Sequence, residues 1–207
     1  MTQLYIVRHG ESENNSQKLF QNGASNLSSK GREQAKILAE RVANIDNIDL
    51  IICSPFTRTR QTLDEVLKLK KHEVVFTELA QELKRPTELI GLAYESPEAI
   101  KITDLIDKNK TDPDWHYSDE ENFTDFKNRA IKLIEYIESF ENKNILLISH
   151  GILSKMILSV MLTKDALTPA EFSNINTFFK TENTGITLLR KEEVWNLITW
   201  NDHAHLG

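Results

Sequence analysis

Two short apolar runs, far apart in the chain, end in the same way. Leu4-Tyr5-Ile6-Val7 leads into Arg8-His9-Gly10-Glu11, and Ile145-Leu146-Leu147-Ile148 leads into Ser149-His150-Gly151. Each reads as a short buried strand that delivers a histidine to a sheet edge. Such an imidazole is fixed in place and partly desolvated. Two of them, joined by arginines, suggest a site that handles an anion, and phosphate is the obvious candidate.

Between and after these runs, apolar and helical patterns alternate. Residues 3–8 read as a strand. Residues 29–44 read as a helix with Ala35, Leu38, Ala39 and Val42 on one face, capped by Ser28 or Ser29. Residues 49–53 form a second strand, 56–70 a helix starting at or just after Pro55, and 73–77 a third strand. Residues 123–140 carry Phe126, Ala130, Leu133, Ile134, Ile137 and Phe140 at helical spacing. A strand at 144–149 and a buried helix at 152–162 follow, and 185–190 with 194–200 pair as a C-terminal hairpin.

The pattern predicts a three-layer α/β fold with a mostly parallel central sheet and helices on both faces. The chain has 207 residues and shows no repeat or linker, so residues 1–207 read as one domain. The less regular stretch 78–122 holds Pro86, Pro97 and Pro113 and reads as an insertion with short helices, a lid or specificity region.

Composition narrows the partners. The net charge of -6 argues against nucleic acid, which needs a basic face, and means that any phosphate site must concentrate positive charge locally. No apolar run approaches the roughly 18 residues of a membrane span, and the N-terminus opens on a strand, so a cytoplasmic protein with no membrane partner is expected. The lone Cys53 follows Leu50-Ile51-Ile52 and reads as a buried structural thiol.

In open α/β sheets, ligands bind beyond the carboxyl ends of the strands. Strand 3–8 delivers Arg8 and His9 there. Strand 49–53 delivers Ser54-Pro55 and then Arg58, and strand 144–149 delivers His150. If these strands are neighbours, two imidazoles and two guanidiniums form a cradle for a phosphoryl group, whose oxygens suit the planar fork of arginine. The glycines after each histidine, Gly10 and Gly151, let backbone approach closely, and helix N-termini add N–H donors. The sequence lacks a phosphate-binding G-x-x-x-x-G-K-[ST] loop, a G-x-G-x-x-G fingerprint, an H-E-x-x-H motif and any dense ligand cluster. No metal and no cofactor are therefore expected, which leaves a histidine nucleophile as the economical choice.

Four motifs in order resemble the histidine phosphatase superfamily, to which cofactor-dependent phosphoglycerate mutases also belong. They are Arg8-His9-Gly10-Glu11-Ser12 with Asn15; Leu27-Ser28 with Gly31 and Gln34-Ala35; Ser54-Pro55-Phe56-Thr57-Arg58-Thr59-Arg60-Gln61-Thr62; and Ile148-Ser149-His150-Gly151. The resemblance implies a phosphoglycerate mutase-like fold in which His9 attacks phosphorus and becomes a phosphohistidine. It implies that Arg8, Arg58 and His150 hold the phosphoryl oxygens, that Asn15 adds a hydrogen bond, and that Gly151 belongs to the phosphate site. The family's acid is a carboxylate shortly after the third strand. Glu78, Glu82 and Glu88 lie in range, and local similarity favours Glu82 in Leu79-Ala80-Gln81-Glu82. The family's frequent Gly-x-Trp-Glu-Gly stretch is replaced here by Leu83-Lys84-Arg85-Pro86-Thr87-Glu88. Lys84 and Arg85 either contact a substrate or form a solvated pair.

The expected function is a metal-independent phosphatase acting on a small phosphomonoester. The alternatives are a phosphoglycerate mutase, a phosphoprotein phosphatase, or a phospho-ligand binding module. The oligomeric state is not written in the sequence.

Overall fold

The computed structural model describes residues 2–141 and 143–207. Its strands are β1 (Thr2–Arg8), β2 (Leu50–Cys53), β3 (Val74–Phe76), β4 (Asn144–Ser149), β5 (Ile186–Lys191) and β6 (Trp195–Asp202). They form one sheet in the order β3-β2-β4-β1-β5-β6. β1, β2, β3 and β4 run parallel, and β5 is antiparallel to both of its neighbours.

Alternation along the strands sorts the core into two layers. Leu4, Ile6, Leu50, Ile52, Ile145 and Leu147 face α5 (Phe123–Glu138) and α6 (Gly151–Thr163). Val7, Ile51, Cys53, Leu146 and Ile148 face α2 (Ser29–Ala43) and α3 (Thr57–Leu69). The sheet is therefore covered on both faces, as the near-continuous apolar runs require. α2 buries the expected face, Ala35, Leu38, Ala39 and Val42, and Ser28 is its cap, accepting the Gly31 N–H.

Two elements differ from expectation. The 78–122 region is not built only of short helices: α4 (Pro97–Asn109) spans 13 residues and, with Leu89, gives the region a small core of its own around Ala99 and Ile102. Ser96 caps it and Pro97 occupies its first turn. Downstream of α6 lies α7 (Pro169–Phe178), a helix the hydrophobic pattern does not announce because it buries no residue fully. A one-turn helix, α1 (Glu13–Ser16), follows the first histidine.

The first loop and α2 meet at two glycines. A Cβ on Gly10 would run into the Gly31 carbonyl, and one on Gly31 into the Glu11 carbonyl. Glu11 completes this junction, accepting from Ser28 and Lys30. It serves the architecture of the loop, not the cavity beyond it.

Candidate active site

β2, β4 and β1 are consecutive in the sheet, so their carboxyl ends lie side by side. Arg8 pairs with Ser149, and the His9 N–H donates to the Ser149 carbonyl at 3.0 Å. The two histidines therefore leave the sheet together, with ring centroids 5.2 Å apart. Arg58, in the first turn of α3, reaches both. Its Nε donates to His9 Nε2 at 3.0 Å, its Nη2 to His150 Nδ1 at 3.2 Å, and its Nη1 to the Asn22 carbonyl at 2.8 Å.

These contacts settle the tautomers, because a guanidinium only donates. His9 keeps its proton on Nδ1, which donates to the Gly10 carbonyl at 2.6 Å, and its Nε2 lone pair faces Arg58. His150 keeps its proton on Nε2, which donates to Ser54 Oγ at 2.9 Å. Burial, then Arg58 and Arg8, hold His9 well below the usual imidazole range. Burial, then Arg58 and His9, do the same to His150. Both rings are neutral at neutral pH.

Arg58 is 1% exposed. Burial lowers its guanidinium to about 10, with Glu82 pulling the other way, so it stays charged at neutral pH. Arg8 donates to the Thr181 carbonyl. Among the described residues, the hydrogen bonds of both arginines go to carbonyls and imidazoles, never to a carboxylate. Desolvated cations without a partner anion in contact are costly unless an anion is meant to join them.

The cradle opens into a cavity of about 700 Å³ whose walls carry Arg8, Arg58, Lys84, Arg85, Arg129 and Lys155 against Glu78, Glu82 and Glu121. Positive charge is thus concentrated locally in an acidic chain. His9, Asn15 and Gly151 line the same cavity. Asn15 spends its side-chain oxygen on the Ser12 N–H of a capping box. Gly151 opens α6, and a Cβ there would meet Thr181 Oγ1 at 2.6 Å.

Of the three candidate acids, Glu88 is held by Ser118 away from the cavity. Glu78 and Glu82 both line it. Glu82 is seated on the N-terminus of α6, where Oε1 accepts the N–H of Leu153 and of Leu83 and Oε2 accepts that of Ile152, each at 3.0 Å. Lys84 and Arg85 both reach the cavity wall, and Lys84 also pairs with Asp119. Cys53 is buried and its thiol is pushed up to about 12 by burial, consistent with a structural role. Among the described residues, no group of three or more His, Cys, Asp and Glu is arranged to hold a metal ion, and no helix is long and apolar enough to cross a membrane.

The sequence pattern left out the loop before β5. Thr181 holds Arg8, Asn183 Nδ2 donates to the His9 carbonyl at 2.9 Å, and the Thr184 N–H donates to the Arg8 carbonyl at 2.9 Å. Thr184 is fully buried at φ 62, a left-handed conformation that is strained for a β-branched residue. The C-terminal segment braces that loop without entering the cavity. His205 bridges Arg41 and Thr184 Oγ1, and Asn201 Oδ1 accepts the Glu182 N–H.

A family model described as the histidine phosphatase superfamily, branch 1, matches residues 4–203. A probable phosphatase of Schizosaccharomyces pombe is 28% identical over 210 residues, covering 98% of this chain and 94% of that protein. The crystal structure of a phosphoserine phosphatase variant from Entamoeba histolytica, in complex with phosphoserine, is 25% identical and superposes with a TM-score of 0.79 over 100% of both chains. Bacillus stearothermophilus YhfR, at 20% identity, superposes with a TM-score of 0.84, again over 100% of both chains. With its paired histidines on neighbouring strands and a family match across nearly its whole length, this chain belongs to branch 1 of the histidine phosphatase superfamily.

Proposed function

We propose that this chain is a metal-independent phosphatase that hydrolyses a small phosphomonoester through a phosphohistidine on His9. The carrying observation is the fully buried Arg58 and the partly buried Arg8, neither hydrogen-bonded to a carboxylate, set against a neutral His9 whose Nε2 is unprotonated. Arg58 sits on the lone pair that attack requires. A phosphoryl group entering the cradle takes over the guanidinium fork and frees Nε2.

In the first step the Nε2–P bond forms as the ester P–O bond breaks. Arg8, Arg58 and His150 neutralise charge on the phosphoryl oxygens, and Asn15 Nδ2 and the backbone at Gly151 add donors. Glu82, in its acid form, gives the leaving oxygen its proton. Its Oε2 accepts only one backbone donor, which leaves a lone-pair site for that proton. In the second step water attacks phosphorus, Glu82 takes a proton from it, and the P–N bond breaks to release phosphate. The 78–122 region roofs the cavity as a lid, within a single domain.

The cavity beyond the cradle carries Lys84, Arg85 and Lys155, which favours an ester with a second anionic group. Phosphoserine, the ligand of the Entamoeba enzyme, is of that kind. Arg85 is half-buried and makes no hydrogen bond or ion pair with another described residue, so its guanidinium is the best placed to receive a carboxylate.

The test is phosphate release from a panel of phosphomonoesters in EDTA, for the wild type and His9→Ala. Release by the wild type alone supports the proposal, and His9→Ala is expected to be inactive while folded. Retained turnover in His9→Ala removes His9 as nucleophile. Conversion of 3-phosphoglycerate to an isomer without phosphate release would make the chain a mutase.

A further inference from the structure

Arg129, on α5, lines the cavity yet is built unlike the phosphate arginines. It has a carboxylate partner: Nε and Nη2 each donate to one oxygen of Glu121 at 2.6 Å, a bidentate pair with both side chains largely buried. Its guanidinium also stacks over Phe126, 5.1 Å from the ring centre. A guanidinium already neutralised in this way is a poor anion receptor. Its remaining donors go to main-chain carbonyls, Nη1 to Leu79 at 2.9 Å and to Gln81 at 2.7 Å, and Nη2 to Glu82 at 3.3 Å.

Those carbonyls belong to the segment that presents Glu82. The segment has only a single 3-10 turn at Glu78–Ala80, so little of its geometry comes from its own hydrogen bonding. The carbonyl that Arg129 does not reach, Ala80, accepts from Ser149 Oγ at 2.8 Å. Residues 79–82 therefore have every carbonyl bound from outside, three by Arg129 and one by the residue before His150. Glu121 extends the clamp, accepting the Lys84 N–H at 3.0 Å and donating its own N–H to the Lys84 carbonyl at 3.2 Å. One ion pair thus fixes the backbone on both sides of Glu82.

We propose that Arg129, held by Glu121, is the positioning residue for the catalytic acid. It fixes residues 79–84 so that the Glu82 carboxyl rests on the α6 N-terminus at the height of the leaving oxygen. The inference rests on Glu82 being the acid.

The experiment compares kcat/KM on phenyl phosphate, whose leaving group needs a proton, with kcat/KM on 4-nitrophenyl phosphate, whose leaving group does not. It uses Arg129→Met, Arg129→Lys, Glu121→Gln, Glu82→Gln and the Arg129→Met/Glu82→Gln double variant. Inhibition by inorganic phosphate reports ground-state binding, and thermal unfolding checks the fold. Arg129→Met is expected to lose roughly 10- to 100-fold on phenyl phosphate, the scale of a misplacement near 1 Å, and far less on the nitrophenyl ester. Arg129→Lys and Glu121→Gln, milder changes that keep part of the clamp, are expected to show smaller losses of the same selectivity. Phosphate inhibition stays unchanged, and the double variant is no worse on phenyl phosphate than Glu82→Gln alone.

Equal losses on the two esters in these variants, a weakened phosphate inhibition, or losses that multiply in the double variant would overturn the proposal while a selective Glu82→Gln still stands. An unselective Glu82→Gln would remove Glu82 as the acid, and this role of Arg129 with it.

Discussion

Acidification is expected to destabilise this fold well before its carboxylates protonate. His9 and His150 are both buried and neutral, each held below the usual imidazole range chiefly by burial and by Arg58. In the unfolded chain the same side chains titrate near 6.5. Below that value the unfolded state binds protons that the folded state refuses, so stability falls as pH falls. If each ring stays neutral in the fold down to about pH 5, each costs about 2 kcal/mol relative to neutral pH, and the pair about 4 kcal/mol. That is a large share of a typical total of about 5–15 kcal/mol. His72 and His205 are shifted in the same direction and add to the slope. Asp202, lowered to about 2 by its Arg41 partner, acts in a separate window, because its contribution is present above its unfolded value and is lost as pH falls toward about 2. Urea unfolding between about pH 7.5 and pH 5, in phosphate-free buffer, measures the effect. The His9→Asn/His150→Asn double variant should show a slope shallower by nearly two protons. A wild type whose stability is flat across the range, or a double variant that falls as steeply as the wild type, would refute the reasoning.

Inorganic phosphate should raise the wild-type melting temperature, by the equivalent of about 2.7 kcal/mol at a hundredfold excess over its Kd, and Arg58→Met should abolish the response. Arg85→Ala should raise KM for carboxylate-bearing phosphomonoesters about tenfold, roughly 1.4 kcal/mol, while leaving 4-nitrophenyl phosphate unchanged. Steady-state kinetics on the two substrate types separate these outcomes, and equal KM increases would make Arg85 part of the phosphate cradle. Asn183→Ala should lower kcat about tenfold by loosening the His9 backbone, with phosphate inhibition unaltered. A change confined to phosphate inhibition would instead place Asn183 against the anion.

The cradle residues were legible in the sequence because each sits where a strand runs out, and strand ends are announced by their apolar runs. Arg8, His9 and His150 needed only that rule, and Arg58 followed from the first turn of the next helix. Glu82 was harder. Its choice over Glu78 and Glu88 came from similarity, whereas its structural distinction is the seat on the α6 N-terminus, a long-range contact with no local signature. Thr181, Asn183 and Thr184 were missed for the same reason: they act only because β5 runs antiparallel against β1. α7 had a readable signal after all, Thr168-Pro169 with Glu171 forming a capping box, but its weak apolar pattern drew no attention to it. Arg129 was invisible as a site residue. On a helical wheel it is an edge residue of α5, and its targets lie in a segment without periodicity.

The strand order has a consequence for how activity arises during synthesis. The proposed nucleophile directly follows β1, yet both strands that flank β1 come from beyond residue 143. The loop that seats Arg8 and His9, at 181–184, lies between those two flanking strands in the chain. A chain that stops short of residue 181 lacks both that loop and β5, so the surroundings of the proposed nucleophile are complete only once residues 181–191 have been made. Pairing the first strand with some of the latest is also the kind of non-local closure that slows folding. Onset of turnover would therefore serve as a clock for the insertion of β1 between β4 and β5. A fragment ending near residue 143 should regain activity only when the remaining segment is supplied in trans.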